Sequence, residues 1–176
     1  MSNVDSKIVY KEKVRFPLMI GFVTLFAVLD IAFLIAYSYQ RITGQLGPHP
    51  VPLWFAVTIL SALAVFTLFL ANLVTLSIRI TDEGAVVGFG IFRAKARWEN
   101  VRECYPDRSS SFLSAANWGV SIGFSGGRWR RMYNVAGCPR VVLEMRRGKR
   151  ALVFSTSNPD AVTEVVRKLI QARQPD

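Results

Sequence analysis

Phe16 to Tyr39 reads FPLMIGFVTLFAVLDIAFLIAYSY, and Leu53 to Ile78 reads LWFAVTILSALAVFTLFLANLVTLSI. The first run holds 24 residues with one charge, Asp30, and the second holds 26 with none. A helix rises about 1.5 Å per residue, so about 20 apolar residues cross a hydrocarbon layer of about 30 Å. Both runs are long enough. A secretory signal peptide would also start with basic residues, and Ala36-Tyr37-Ser38 imitates a cleavage site. Its apolar region, however, runs only about 7–15 residues, so an uncleaved helix is expected.

The flanks orient the pair. Lys7, Lys11, Lys13 and Arg15 precede the first run, Arg41 is the sole basic residue of the connector Gln40 to Pro52, and Arg93, Lys95 and Arg97 follow the second. Basic residues stay on the cytoplasmic side, which places both termini there in a two-span protein of the cell (inner) membrane. Tyr37, Tyr39 and Trp54 then sit at the outer interface. The expected division is a cytoplasmic segment 1–15, membrane helices 16–39 and 53–78, an external connector 40–52, and a cytoplasmic domain 79–176.

Composition agrees with this division. Of 176 residues, 51% are hydrophobic and 19% charged, with a net charge of +10. The charged share is below the roughly 25% of soluble domains, and the apolar content excludes a disordered chain. Two cysteines, Cys104 and Cys138, cannot build a disulfide scaffold or a four-ligand zinc site. No cofactor motif is present, and the glycines form no phosphate-binding loop.

Beyond Ile80 the period becomes two. Phe92, Ala94, Ala96 and Trp98 alternate with Arg93, Lys95 and Arg97; Trp118, Val120, Ile122 and Phe124 repeat the pattern. About seven strands are expected: 76–81, 85–90, 92–98, 101–105, 118–124, 129–135 with 140–146, and 150–156. A break at Gly137-Cys138-Pro139 would make eight. Asn158-Pro159-Asp160 then opens a helix as cap, first-turn proline and first-turn acid. Val162, Val165, Val166, Leu169 and Ile170 give it one apolar stripe. The fold class is α+β: a transmembrane helical hairpin, then a curled antiparallel sheet or barrel that the last helix plugs.

ARWENVREC, NWGVSIGF and GKRALVFSTSNPDAVTEVV, set behind two membrane helices, resemble the prokaryotic pleckstrin-homology-like domains on membrane hairpins. The resemblance covers about residues 76 to 172. It implies a binding scaffold for lipids, peptides or proteins, and no functional residue carries over, because fold does not fix function.

Three basic clusters are candidates for an anionic surface: Arg93/Lys95/Arg97, Arg128/Arg130/Arg131, and Arg146/Arg147/Lys149/Arg150. Each cation held near anionic headgroups gains on the order of 1 kcal/mol, and positive-inside bias alone would also place cations here. Asp30 is a costly acid in mid-membrane, level with Leu63 and Ala64 and within reach of Ser61 or Thr67; it is a packing site or a proton site. Thr67, Ala71 and Thr75 make a small-residue stripe. Phe112 and Leu113 sit in a serine-rich loop that dips into membrane, seats a partner or folds back as a lid. Trp118 and Trp129 fall in strand patterns and are expected in the core, so nucleic acid is not an expected partner. His49 lies on the external connector, and neither cysteine has a neighbouring base, so catalysis is not expected. The expected function is a non-enzymatic, membrane-anchored module that recruits a protein partner, a membrane complex or anionic lipids, with self-association a further option. The alternative is an oligomeric ion or proton path built on Asp30.

Overall fold

The computed structural model describes residues 7–44, 51–107, 118–125 and 127–173. The chain divides into two compact units, one helical (Pro17–Val74) and one formed by the segments on either side of it.

The helical unit contains α1 (Pro17–Thr43) and α2 (Leu53–Asn72), both long and apolar enough to cross a membrane. They meet through an edge-on contact of Phe26 with Phe66, ring centres 5.0 Å apart, and through Thr67, whose hydroxyl donates to Asp30 Oδ2 at 3.0 Å. The apolar run to Ile78 is thus not one helix. It ends at Asn72, and Thr75 to Thr81 form strand β2, because the alternation Leu76, Ile78, Ile80 suits a half-buried strand. The expected stripe of small residues therefore stops at Ala71.

The second unit holds nine strands among the described residues, not a single meander of seven. The first sheet has the order β1-β2-β3-β4, where β1 is Ile8–Arg15, β3 is Gly84–Phe89 and β4 is Phe92–Arg97. The segment before the first helix, expected only as a cytoplasmic stretch, is therefore a sheet strand. A Cβ on Gly88 would stand 2.1 Å from the Phe92 carbonyl oxygen, so only glycine lets β3 and β4 approach this closely. A 3-10 turn, Trp98–Asn100, leads to the second sheet, and its Trp98 is buried with Nε1–H donating to the Thr81 carbonyl at 2.9 Å.

The second sheet runs β5-β8-β9-β7-β6: Val101–Asp107, Arg140–Met145, Arg150–Ser155, Arg128–Asn134 and Gly119–Ser125. The break at Gly137-Cys138-Pro139 is real. Hairpin β8–β9 inserts so that β9 lies parallel to β7, which makes the sheet mixed. Period-two patterning reports which face is buried and is silent on neighbours, so the order could not be read from it.

Helix α3 (Pro159–Gln171) starts as expected: Asn158 Oδ1 accepts from the Ala161 N–H at 3.2 Å. It buries Val162, Val166 and Ile170 and packs mainly along β5. Between the sheets, Phe89 and Tyr133 stack with ring centres 6.5 Å apart.

Glu12 binds β1 to the start of α3. Its carboxylate accepts from Thr156 Oγ1 at 2.6 Å, the Ser157 N–H at 2.7 Å and the Tyr10 hydroxyl at 2.8 Å. Burial alone would raise its pKa, but the bonds from Thr156, Ser157 and Tyr10 outweigh that and hold it below the ordinary carboxylate range. A depressed carboxylate stabilises the fold above the unfolded value of about 4.3 and loses this as pH falls through the folded value. We expect Glu12→Ala to lower stability by roughly 1.5–3 kcal/mol at neutral pH, with a smaller difference from the native chain in acid, measured by thermal unfolding at several pH values. Gly88→Ala is expected to cost roughly 1–3 kcal/mol in the same assay.

Candidate functional site

Members of all three basic clusters meet in the second unit. Arg93 and Lys95 on β4, Arg131 on β7, and Arg147 and Arg150 around the β8–β9 turn line one cleft of about 520 Å³. No carboxylate among the described residues contributes to its lining.

Strand alternation explains each contribution. On β4, Ala94 and Ala96 are buried, which turns Arg93, Lys95 and Arg97 outward. The register pairs Trp129 with Arg150 and Arg131 with Leu152, so these side chains share one face of the second sheet. Farther along that face stand Tyr133 and Phe154, both fully buried. The cleft forms where this face leaves its cover: Trp129 is 57% exposed, Phe124 63% and Ile122 70%. Phe124 and Trp129 meet edge-on at 5.5 Å. A second groove of about 430 Å³, lined by Ile122 and Trp129, shares Arg131 and Arg150 with the cleft. Trp118 is 43% exposed, so neither it nor Trp129 is the core residue that the strand pattern implied. Alternation identifies a face, and only the second layer shows where cover ends.

The other expected cations have different tasks. Arg128 and Arg130 fall on the opposite face, since β7 alternates. Arg128 Nη1 donates to Glu144, whose other oxygen accepts from the Tyr105 hydroxyl at 2.9 Å. Arg146 Nε donates to the Val101 carbonyl at 3.1 Å. Lys149 is exposed in the β8–β9 turn, and its carbonyl accepts from the Trp129 N–H at 2.7 Å. Phe112 and Leu113 lie outside the described residues, as does His49.

The first sheet adds to the positive field. Its register places Lys11, Arg79 and Lys95 in one row, with Lys13, Arg15, Arg93 and Arg97 on the same outer face. All seven are exposed, and none has a carboxylate partner among the described residues. Lys11 lies directly opposite Arg79, a like-charge pair that costs stability. Cations gathered in a concave site concentrate the potential and draw anions.

None of the remaining candidates lines the cleft. The Cys104 thiol is buried in β5 and burial pushes it up to about 12, so it stays protonated and unreactive. Cys138 is raised as well, first by burial and then by the charge of Glu12. Asp30 keeps Thr67 as its partner, the second of the two expected from level alone. No group of three or more metal-ligating side chains occurs among the described residues.

Cations that hold the fold and cations that are free respond differently to removal. Arg128→Ala leaves Glu144 with a half-buried charge and is expected to cost roughly 1–3 kcal/mol, whereas Arg150→Ala is expected to stay within about 0.5 kcal/mol, by thermal unfolding. Comparison with protein-family models, curated proteins and solved structures finds no match.

Proposed function

We propose that this chain is a membrane-anchored, non-enzymatic binding module of pleckstrin-homology-like type, whose ligand is the phosphate of an anionic lipid headgroup. In this reading α1 and α2 span the cell membrane and both termini face the cytoplasm. The observation that carries the proposal is the cleft of five cations, Arg93, Lys95, Arg131, Arg147 and Arg150, with no acid among the described residues of its wall.

Two further features favour this ligand. Ile122, Phe124 and Trp129 sit exposed beside the cations, and an apolar border next to a charged cleft suits an amphiphile better than a bare ion. Strand β1 precedes α1 and pairs with β2, which follows α2. Paired strands must share one side of a membrane, so two spans satisfy the fold and one does not. Signal cleavage after Ser38 would remove β1 from the sheet. Basic flanks then favour the cytoplasmic side. Asp30 acts in helix packing through Thr67, which leaves the ion-path alternative without a second polar partner for its free oxygen among the described residues.

The test uses the full chain in a zwitterionic detergent, titrated with soluble short-chain phosphatidylglycerol and, separately, the matching phosphatidylcholine. Trp129 fluorescence, taken as the difference from Trp129→Phe, is the signal. We expect saturation with the anionic lipid alone. Arg131→Glu with Arg150→Glu should raise the half-saturation point at least tenfold, since each cation contributes about 1 kcal/mol. Equal responses to both lipids, or an unmoved midpoint in the double variant, would refute the headgroup reading. No response to either lipid would refute it too, and leave an acidic protein segment as the ligand that meets the same charges.

A further inference from the structure

Both helices join the folded unit at one end of its first sheet. Strand β1 finishes at Arg15, β2 begins at Thr75, and these two residues are partners in the ladder. The same register fixes what else lies at that end. Leu76 pairs with Phe89 and Phe89 with Phe92, so the β3–β4 turn at Gly90 and Ile91 stands level with the row of Arg15 and Thr75.

That turn presents an apolar side chain outward. Ile91 is 80% exposed, among the highest values for a large hydrophobic residue of the folded unit. Arg93 folds back toward it, with Nε–H donating to the Gly90 carbonyl at 2.6 Å. Lys13 and Arg15 occupy the same outer face as Arg93. Trp118, 43% exposed, sets its ring edge-on against Phe16 at 6.0 Å, and Phe16 is the residue joining β1 to α1. The acids of the sheet's turns lie elsewhere: Asp82 and Glu83 occupy the β2–β3 turn at the opposite end.

An exposed branched residue, an exposed tryptophan and three cations on one end match the layers of a bilayer surface. Tryptophan favours the headgroup level, and cations favour the phosphates just outside it. The connections to the two helices are short. One residue, Phe16, separates β1 from α1, and two, Leu73 and Val74, separate α2 from β2.

We propose that the helix-exit end of the first sheet is a membrane-contact surface: Ile91 and Trp118 seat at the headgroup boundary of the bilayer the helices enter, with Lys13, Arg15 and Arg93 on its anionic phosphates. This rests on the reading of α1 and α2 as membrane spans. Arg93 also lines the basic cleft, so the contact brings the mouth of that cleft to the headgroups.

The test places a nitroxide at single positions of the full chain in nanodiscs containing phosphatidylglycerol. Cys138→Ser leaves the buried Cys104 as the sole native thiol. Labels go on Ile91→Cys, on Leu29→Cys in α1, and on Glu99→Cys near the far end of β4. Collision with oxygen reports lipid, and collision with a soluble nickel chelate reports water. We expect position 91 to resemble position 29, with oxygen favoured, and position 99 to favour nickel. Lys13→Glu with Arg15→Glu should lower the oxygen-to-nickel ratio at position 91 at least twofold. If position 91 reads as position 99 does while position 29 stays in lipid, the contact surface is refuted and the anchor stands. If position 29 itself reads as water, both fail.

Discussion

The antiparallel ladder of β1 with β2 joins residues that the sequence keeps 60 to 73 positions apart, and the helical pair lies wholly between them. Closing a loop of that length carries an entropic cost, which the helices reduce by folding back on themselves. Their contacts, Phe26 on Phe66 and Thr67 on Asp30, hold the two helices against each other. The ladder then completes the edge of the first sheet, and Glu12 ties that edge to the start of α3. Without β1 the inner faces of Ile78 and Ile80 lose a neighbouring strand and the loop before α3 loses its acceptor. The segment before the first helix is therefore structural, although it is short and rich in lysine.

Charge is distributed by the same ladder. Seven cations share the outer face of the first sheet, and the inner face of that sheet carries the apolar core. Like charges in adjacent rows oppose folding, and the fold accepts this cost on one surface. Elsewhere it neutralises cations by pairing: Arg128 with Glu144, and Arg140 with Asp107 at 3.0 Å. A chain that pairs some arginines in its second sheet and leaves others open divides structural from available charge. Only the available set borders exposed Ile122, Phe124 and Trp129, and this conjunction directs the functional proposal toward an amphiphilic anion.

Much of this is legible in the sequence. The two apolar runs, the strands from Phe92 onward, the break at Gly137-Cys138-Pro139 and the Asn158 cap all depend on local spacing, and each is present. Structure departs from expectation where a local pattern has two meanings. Leu76, Ile78 and Ile80 continue an apolar run and also alternate as a strand, so the run outlasts the helix by six residues. Ile8 to Arg15 alternates as well, but its lysines disguised it as a flank. Trp118 and Trp129 occupy apolar strand positions, yet the layer covering them ends short.

By itself, the sequence determined the number of apolar helices, most strands, the last helix and the positive charge of the folded unit. These follow from periodicity and composition, which act within a few residues. Tertiary structure alone decided that there are two sheets, that β9 enters beside β7, that β1 closes the ladder, and which of many arginines share a cleft. Those outcomes depend on pairing between distant segments, and a period of two constrains the face of a strand while leaving its partner free.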